Sequence, residues 1–265
     1  MKTILLITGA IDISAFQVPY TKLTNTTLRL QQYLESIEYA IEHYNLINHI
    51  VFCENTGYTY DYSGLQEKAK LKNKTLEIIV FVGDYQVIQA KGKGYGEGEI
   101  IQYALDKSEA LQMSDFFYKL TGRILVRNMD QVMDSSKSEN TFIFLSHMEA
   151  LSKKGRVRTL FYKVNTSFYR QVLIDAYKDV DDIKKHYLEH TFFIRMANIP
   201  IPSFGKYPYF IGIQASTEKR YLSRIKLLKY RLYNRLNFFS NMKLTLFQKI
   251  VLYTIKFFRF PIFWS

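Results

Sequence analysis

Short apolar segments alternate with longer amphipathic ones through the first 145 residues, and this alternation restricts the fold more than any other feature of the sequence. Runs rich in Ile, Leu, Val and Phe predict strands at residues 3–8, 48–53, 76–82, 116–126 and 141–145. Apolar residues at helical spacing predict helices at residues 26–44, 62–71 and 96–108. Strands and helices that alternate at this spacing indicate an α/β, Rossmann-type domain with a mostly parallel sheet flanked by helices.

The composition is that of a folded protein with a sizeable core. A length of 265 residues fits one large domain or one domain with an appendage, and 48% hydrophobic residues argue against disorder. The single cysteine, Cys53, excludes an intrachain disulfide framework and a Cys-based zinc finger, and is typical of a reducing compartment. The first apolar run is too short for a signal peptide, so we expect the body of the protein in the cytoplasm.

The positive charge is concentrated at the C-terminal end. Residues 218–265 contain eleven Lys/Arg and one acidic residue, which gives +10 of the total of +12. The remaining 217 residues therefore carry only 12 − 10 = +2. A nucleic-acid enzyme more usually places its basic excess around the groove that holds phosphates, so we expect no nucleic-acid partner.

The basic C-terminal segment also contains many aromatic residues and predicts a pair of amphipathic helices, with a break near residues 237–241. No apolar run there approaches the ~18 residues that span a bilayer. Basic, aromatic amphipathic helices are typical of segments that lie on an anionic membrane surface. The alternative is a helix pair that packs on the body of the protein or on a second copy in a homo-oligomer.

Polar and glycine residues follow several of the predicted strands. Ligands of parallel α/β sheets bind beyond the carboxyl ends of the strands, where loops meet helix N-termini. The residues at these positions are Thr8 and Gly9 after the first strand, Glu54 and Asn55 after the second, and Lys119, Thr121, Gly122 and Arg123 in the fourth. Their gathering at one edge predicts a nucleotide pocket.

A glycine-rich segment, residues 92–98, precedes the third predicted helix. Backbone N–H groups at a helix start attract anions, and Lys93 adds positive charge. We therefore expect Lys93, Gly94, Gly96 and Glu97 to belong to a loop that contacts phosphate or sugar. The segment matches neither a P-loop nor the Rossmann glycine fingerprint, and a surface turn is the alternative.

The Lys119-Leu-Thr-Gly-Arg123 segment places two cations inside an apolar stretch. Buried cations are costly unless an anion meets them. A diphosphate would satisfy both, because arginine offers a planar fork and lysine a point charge. The alternative is structural ion pairs with carboxylates such as Glu54, Asp84 or Glu97.

These segments together carry a family resemblance, which covers roughly residues 1–130 in the expected order. The sequence resembles bacterial surface-polysaccharide glycosyltransferases of the GT-A type that carry a Lys-x-Thr-Gly-Arg segment. The matching pieces are Leu5-Leu-Ile-Thr-Gly9, Arg29 with Gln32-Tyr33, Val51-Phe-Cys-Glu-Asn55, Gly92-Lys-Gly-Tyr-Gly-Glu97 and Lys119-Leu-Thr-Gly-Arg123.

The resemblance implies a GT-A-like fold and a transferase that takes a sugar from a nucleotide-sugar donor for the assembly of capsule, O-antigen or lipooligosaccharide. A lipid-linked or membrane-embedded glycan acceptor would explain the basic C-terminal segment, because both partners then meet at a membrane. We expect a donor-binding half (residues 1–130) and an acceptor and catalytic half (131–216) of one domain. The basic, aromatic tail (217–265) would then attach the protein to the inner face of the cell membrane. Thr8, Gly9 and Arg29 would then lie by the nucleotide. Lys119, Thr121 and Arg123 would replace the usual metal-binding Asp-x-Asp, so no cofactor is expected, although Asp179-Val-Asp181 leaves a divalent metal open.

A predicted helix at residues 180–190 offers the remaining candidate chemistry. If the protein transfers a sugar, Asp182, Glu189 or His190 would serve as the general base that activates an acceptor hydroxyl, and a solvated helix face is the alternative. The pattern His186-x-x-Glu189-His190 also matches inverted zinc peptidases, in which two histidines on one helix face hold zinc. A zinc-dependent hydrolase is therefore one alternative function, and a non-catalytic, membrane-associated subunit of a polysaccharide assembly is another.

Overall fold

The protein is described by a computed structural model of residues 3–14, 23–145, 147, 155–212 and 224–257. Its strands are β1 (Ile4–Gly9), β2 (His49–Glu54), β3 (Thr75–Val80), β4 (Phe116–Thr121), β5 (Ile124–Val126), β6 (Phe161–Asn165) and β7 (Phe210–Gly212). Five of them form the central sheet, in the order β3-β2-β1-β4-β6. The pairs β1–β2, β2–β3 and β1–β4 are parallel, and only β6 runs antiparallel to its neighbour β4. Strands β5 and β7 form a separate antiparallel pair.

Helices connect the strands and cover the sheet. They are α1 (Thr26–His43), α2 (Ser63–Leu71), α3 (Tyr85–Lys91), α4 (Lys93–Lys107), α5 (Glu109–Gln112), α6 (Met129–Asp134), α7 (Thr166–Phe168), α8 (Leu188–Arg195), α9 (Arg224–Arg235) and α10 (Leu246–Phe257). A π-helical turn (Tyr169–Leu173) and a 3₁₀ turn (Ala176–Asp179) follow α7. The predicted fold class, a mixed α/β domain with a mostly parallel sheet flanked by helices, is confirmed.

The central sheet is buried on both faces. Side chains alternate across a strand, so Leu5 and Ile7 of β1 point into one core cluster while Ile4 and Leu6 point into the other. The first cluster includes residues of α1 and of the C-terminal segment, and the second includes residues of α4 and α8. Parallel strands that are covered on both faces read as continuous apolar runs, which explains why the sequence predicts β1 and β2 so closely.

Two predicted strands and one predicted helix need correction. The strand expected at 116–126 ends at Thr121, and after a turn at Gly122 the chain enters the second sheet as β5. Residues 141–145 form only isolated bridges, from Thr141 to Lys163 and from Phe144 to Val157. The helix expected at 180–190 is wrong as well. Residues 181–187 form a turn closed by an Asp181–His186 bridge, and α8 begins only at Leu188.

The glycine-rich segment is the start of helix α4 rather than a loop. Its glycines are buried and allow close packing against the chain that follows β6. A Cβ atom built on Gly98 would collide with Cβ of Tyr177 and lie 2.6 Å from its Cγ, and one on Gly94 would lie 3.1 Å from Val180. Glycine is unfavourable inside a helix, so its use here reflects tertiary contact rather than local preference.

Within residues 224–257, the basic C-terminal segment forms the two predicted helices as α9 and α10, with a break between them. Residues 217–223 and 258–265 of the predicted tail lie outside the described residues. Part of this segment belongs to the core, because Tyr233, Phe238 and Phe239 are each at most 1% exposed. Within the described ranges, no helix combines the length and apolar character that crossing a membrane requires.

Replacing Gly98 with alanine tests the packing of α4. We expect Gly98→Ala to lower the free energy of unfolding by about 1–3 kcal/mol, because the new methyl group meets the backbone-proximal atoms of Tyr177, which cannot rotate away. Gly64→Ala in α2 is the matched control, since a Cβ there meets nothing within 4 Å. Urea denaturation should show the control unchanged or stabilised by up to ~1 kcal/mol. Equal effects of the two substitutions would contradict the packing role.

Candidate functional site

The carboxyl ends of β1 and β4 form the centre of the candidate site. The chain runs outward from β1 to β2 and β3 on one side, and then returns to place β4 on the other side of β1. Such a reversal opens a crevice at which parallel α/β proteins bind ligands. Thr8 and Thr121 are register partners here, and the Gly122 N–H donates to the Thr8 carbonyl at 2.9 Å. Thr8, Gly9, Thr121 and Gly122 are therefore brought together, as predicted from the sequence.

Arg123 lies directly beyond this crevice. Its backbone has φ +64°, a left-handed conformation that non-glycine residues rarely adopt and that is frequent at functional sites. The guanidinium lies over the Tyr33 ring, 5.6 Å from its centroid, and Nη1 donates to Gln32 Oε1 at 3.3 Å. Its Nε is buried without a hydrogen-bond partner, and within the described part of the chain Arg123 forms no ion pair with a carboxylate.

The turn at Gly122 fixes the approach of Arg123. A Cβ atom at Gly122 would lie 2.6 Å from Cδ1 of Tyr33 and 2.7 Å from the Thr8 carbonyl oxygen, so only glycine fits between the strand end and the ring. The Tyr33 hydroxyl in turn accepts from the Ala10 N–H at 3.0 Å. The Tyr33 ring, Gly122 and the loop after β1 thus pack together and hold the Arg123 guanidinium in place.

Lys119, unlike Arg123, points into the interior of the protein. Its side chain is completely buried, and Nζ donates to Glu97 Oε1, to Thr121 Oγ1 at 2.7 Å and to the Thr159 carbonyl at 2.8 Å. Three acceptors satisfy the three donors of an ammonium group. Burial lowers the pKa of Lys119, and the neighbouring Glu97 carboxylate opposes that effect. The structure therefore shows the ion pair that the sequence left as the alternative, and leaves no Lys119 donor for a phosphate.

Arg29 and Glu54 are also used inside the protein. The Arg29 guanidinium donates to the carbonyls of Ala10, Ile11 and Leu23, with 3.0 Å from Nε to Ala10 O. Glu54 is fully buried, and its carboxylate accepts N–H groups of the same β1 loop and of the loop after β2. Burial raises the pKa of Glu54, and these hydrogen bonds oppose the rise. Both side chains hold the loops at the sheet edge in place.

Asn55 lies beside Glu54 at the end of β2. Its backbone N–H donates to the Gly9 carbonyl at 3.3 Å, and its own carbonyl accepts the Gly83 N–H at 2.9 Å. Its side-chain Oδ1 is buried without a hydrogen-bond partner. Asn55 thus joins the loops after β1 and β3 and carries a polar atom that is not satisfied within the described residues.

A carboxylate of the protein, that of Asp182, caps the N-terminus of α4. Gly92, the N-cap residue, has φ +103° and offers no capping side chain. Asp182 supplies the cap instead, with Oδ2 accepting the Gly94 N–H at 3.1 Å, and its own N–H donates to the Lys91 carbonyl at 2.7 Å. The helix position that the sequence assigns to a phosphate is thus occupied by a carboxylate. Burial raises the pKa of Asp182.

Glu189 and His190 lie in the first turn of α8. Burial raises the pKa of Glu189, and the nearby negative charges of Glu97 and Asp182 add to the rise. A hydrogen bond from its own backbone N–H and the positive charge of Lys93 oppose the rise. His190 has a local structural role, because its Nδ1 accepts the Tyr187 N–H at 3.1 Å and closes the start of the helix. Asp182 and His190 both serve as helix caps, so Glu189 is the carboxylate that we consider further as the base.

No metal site forms among the residues that the structure describes. Within the described residues, no three His, Cys, Asp or Glu side chains are grouped closely enough to hold a metal ion. The zinc hypothesis also needs His186 and His190 on one helix face, whereas His186 lies in the turn before α8. The two rings are 6.0 Å apart, centroid to centroid. The zinc-dependent hydrolase is therefore not favoured.

Three residues of the site lie outside the sequence-based assignment. Gln32 and Tyr33 belong to the family resemblance, which gives them no role in the pocket. Their spacing of three and four residues from Arg29 places them on the same face of α1. Thr159, which accepts from Lys119, belongs to no motif and carried no signal in the sequence.

Comparison with known proteins gives only distant similarities. No protein-family model matches the sequence, and no curated protein sequence matches it either. Among solved structures, apo GlyE, a glycosyltransferase of Streptococcus pneumoniae TIGR4, shares 11% identity at a TM-score of 0.45, over 74% of this chain and 43% of GlyE. An active-site variant of LgtC shares 13% sequence identity at a TM-score of 0.44, and the match covers 72% of this chain and 69% of LgtC.

A putative glucose-1-phosphate thymidylyltransferase from Bacillus anthracis, solved with sucrose, shares 11% identity at a TM-score of 0.47, over 94% of this chain and 99% of that protein. The match to GlyE covers 43% of GlyE, so this chain spans less than half of that protein's length. At these identities and scores, the similarities carry no argument about activity, which must come from the site itself.

Proposed function

We propose that this protein is a glycosyltransferase that moves a sugar from a nucleotide-sugar donor to an acceptor hydroxyl. The observation that carries the proposal is the position of Arg123, a partly buried guanidinium at the strand crossover whose Nε has no partner. A cation held in this way at a ligand-binding crevice is suited to an anion. The resemblance of residues 1–130 to GT-A enzymes supports a nucleoside diphosphate as that anion.

Arg123 would act on the leaving group. As the bond from the anomeric carbon to the diphosphate oxygen breaks, its electron pair leaves with the diphosphate and negative charge accumulates there. A fixed guanidinium aimed at this charge stabilises the transition state more than the ground state. Lys119 would contribute indirectly, because its bonds to Glu97 and Thr121 fix the polar groups at the edge of β4.

Glu189 is the general base in this proposal. The acceptor hydroxyl gives its proton to the Glu189 carboxylate while its oxygen forms the new bond to the anomeric carbon. A carboxylate whose pKa is raised by burial is a better proton acceptor than one in water, provided that it is ionised at the working pH. Asp182 and His190 support the same region through their capping hydrogen bonds.

We place the acceptor at a membrane, as a lipid-linked or membrane-embedded glycan of surface-polysaccharide synthesis. Helix α10 supports this because it exposes apolar side chains that a helix in water would bury, with Leu246, Phe247, Ile250 and Tyr253 each 56–75% exposed. Residues 224–257 contain eight Lys/Arg and no Asp or Glu, a charge suited to anionic lipid on the inner face of a cell membrane.

Substitution of Arg123 tests the donor site. We expect UDP-, GDP- or dTDP-linked hexoses to raise the melting temperature of the wild type, since a ligand bound only by the folded state stabilises it. Arg123→Ala should lower nucleoside diphosphate release by roughly 100-fold or more and weaken donor binding in calorimetry. Arg127→Ala, at an exposed arginine four residues on, is the control and should change neither. Equal activity in the two variants would refute the role of Arg123.

The pH dependence of turnover tests Glu189. Its pKa is raised, so the ionised base forms only at higher pH than for an ordinary glutamate, and kcat/KM should rise with pH through that raised value. Glu189→Gln should remove this acid limb together with most of the activity while donor binding persists. A variant that keeps the limb would show that another group titrates.

The exposed face of α10 tests membrane attachment. Replacing Leu246, Phe247 and Ile250 with serine should weaken sedimentation with anionic vesicles at least about 100-fold, because each large apolar side chain contributes about 1.5–3 kcal/mol when buried. Leu71→Ser with Met113→Ser, which removes apolar side chains more than 80% exposed elsewhere, is the control. Unchanged sedimentation of the α10 variant, or an equal loss in the control, would argue against the α10 surface.

A further inference from the structure

A second polar site lies between helix α6, the chain before β7 and helix α9. It is a cavity of about 280 Å³, and none of its lining residues belongs to the candidate donor site. Lys206, Arg231 and Arg235 supply three positive charges to its wall, and no acidic residue of the described ranges lines it. Within the described part of the chain, none of these cations forms an ion pair. Three unneutralised cations around one cavity favour an anion.

The wall of this basic cavity is held by buried hydrogen bonds. Asn234, 9% exposed, donates from Nδ2 to the Phe204 carbonyl at 2.7 Å. Asn128 accepts the Tyr209 N–H at 2.8 Å, and the Arg231 guanidinium lies 4.6 Å from the centroid of the Tyr209 ring. These contacts fix the backbone around the cavity and hold the Arg231 guanidinium against the Tyr209 ring, which lowers the entropic cost of binding at that side chain.

Exposed leucines lie next to the cationic wall. Leu228 and Leu232 of α9 are 64% and 44% exposed. At about 100° per residue, these leucines share an arc of roughly 100° of the helix circumference with Arg231 and Arg235. An apolar strip beside a cationic cavity complements a molecule that joins a phosphate to a hydrocarbon chain, whereas a soluble phosphate would leave the leucines unused.

We propose that the basic cavity binds the phosphate group of a membrane lipid, with Arg231, Arg235 and Lys206 on the phosphate and Leu228 and Leu232 against the lipid chain. This proposal does not rest on the sugar transfer, because it uses neither Arg123 nor Glu189. It adds a specific phosphate contact to the apolar surface of α10.

The test uses the full-length protein with phosphatidylcholine vesicles that contain phosphatidic acid, and with glycerol phosphate as the soluble arm. We expect saturable binding to the vesicles. Arg235→Lys keeps the charge but loses the planar fork, and should weaken binding about tenfold, the scale of one hydrogen bond to a charged group. Lys243→Gln, which removes an exposed charge that does not line the cavity, is the control and should weaken binding at most about fivefold.

Replacing Leu228 and Leu232 together with serine should weaken vesicle binding and leave the weak binding of glycerol phosphate unchanged. Three outcomes would overturn the proposal: no saturable vesicle binding, no effect of Arg235→Lys, or glycerol phosphate binding as tight as that of the lipid. Circular dichroism and donor-induced stabilisation report on folding and on the donor site separately, so a failure here is distinguishable from a failure of the sugar-transfer proposal.

Discussion

The buried ion pair between Lys119 and Glu97 is the interaction on which the arrangement of the site depends. A lysine inside a parallel sheet is tolerated only when a carboxylate and further acceptors meet it, and here Glu97, Thr121 and the Thr159 carbonyl do so. Because Glu97 lies on α4, the pair fixes that helix against the end of β4. The glycines of α4 then allow the 3₁₀ turn and Asp182 to approach closely.

Two cations of one five-residue segment therefore have different tasks. Lys119 points into the protein and holds it together, whereas Arg123, after the turn at Gly122, lies at the crevice with a guanidinium that the protein leaves partly unsatisfied. Arg29 and Glu54 have a structural role like that of Lys119, since their hydrogen bonds shape the loops around the crevice. In this account Arg123 contacts the ligand, and the three structural side chains determine the position of Arg123.

The sequence predicts the elements whose signals are local. Strands β1, β2 and β3 and helices α1 and α2 follow from apolar periodicity, and the polar edge follows from where the strands end. Contacts between residues far apart in the sequence cannot be predicted from local patterns. Asp182 caps Gly94 from 88 residues away, and the Thr159 carbonyl accepts from Lys119 from 40 residues away. The sequence predicts a loop at residues 92–98 because glycine disfavours helices, and this prediction is wrong because packing against Tyr177 makes glycine necessary in α4. The amphipathic tail was predicted, but not the burial of Phe238 and Phe239.

The most direct measurement is a crystal structure of the protein with a bound nucleoside diphosphate. The account predicts a phosphate oxygen within hydrogen-bond distance of the Arg123 guanidinium, with the Lys119–Glu97 pair intact beneath it. A diphosphate bound elsewhere, or one that draws Lys119 away from Glu97 while Arg123 stays on Gln32 and Tyr33, would contradict it.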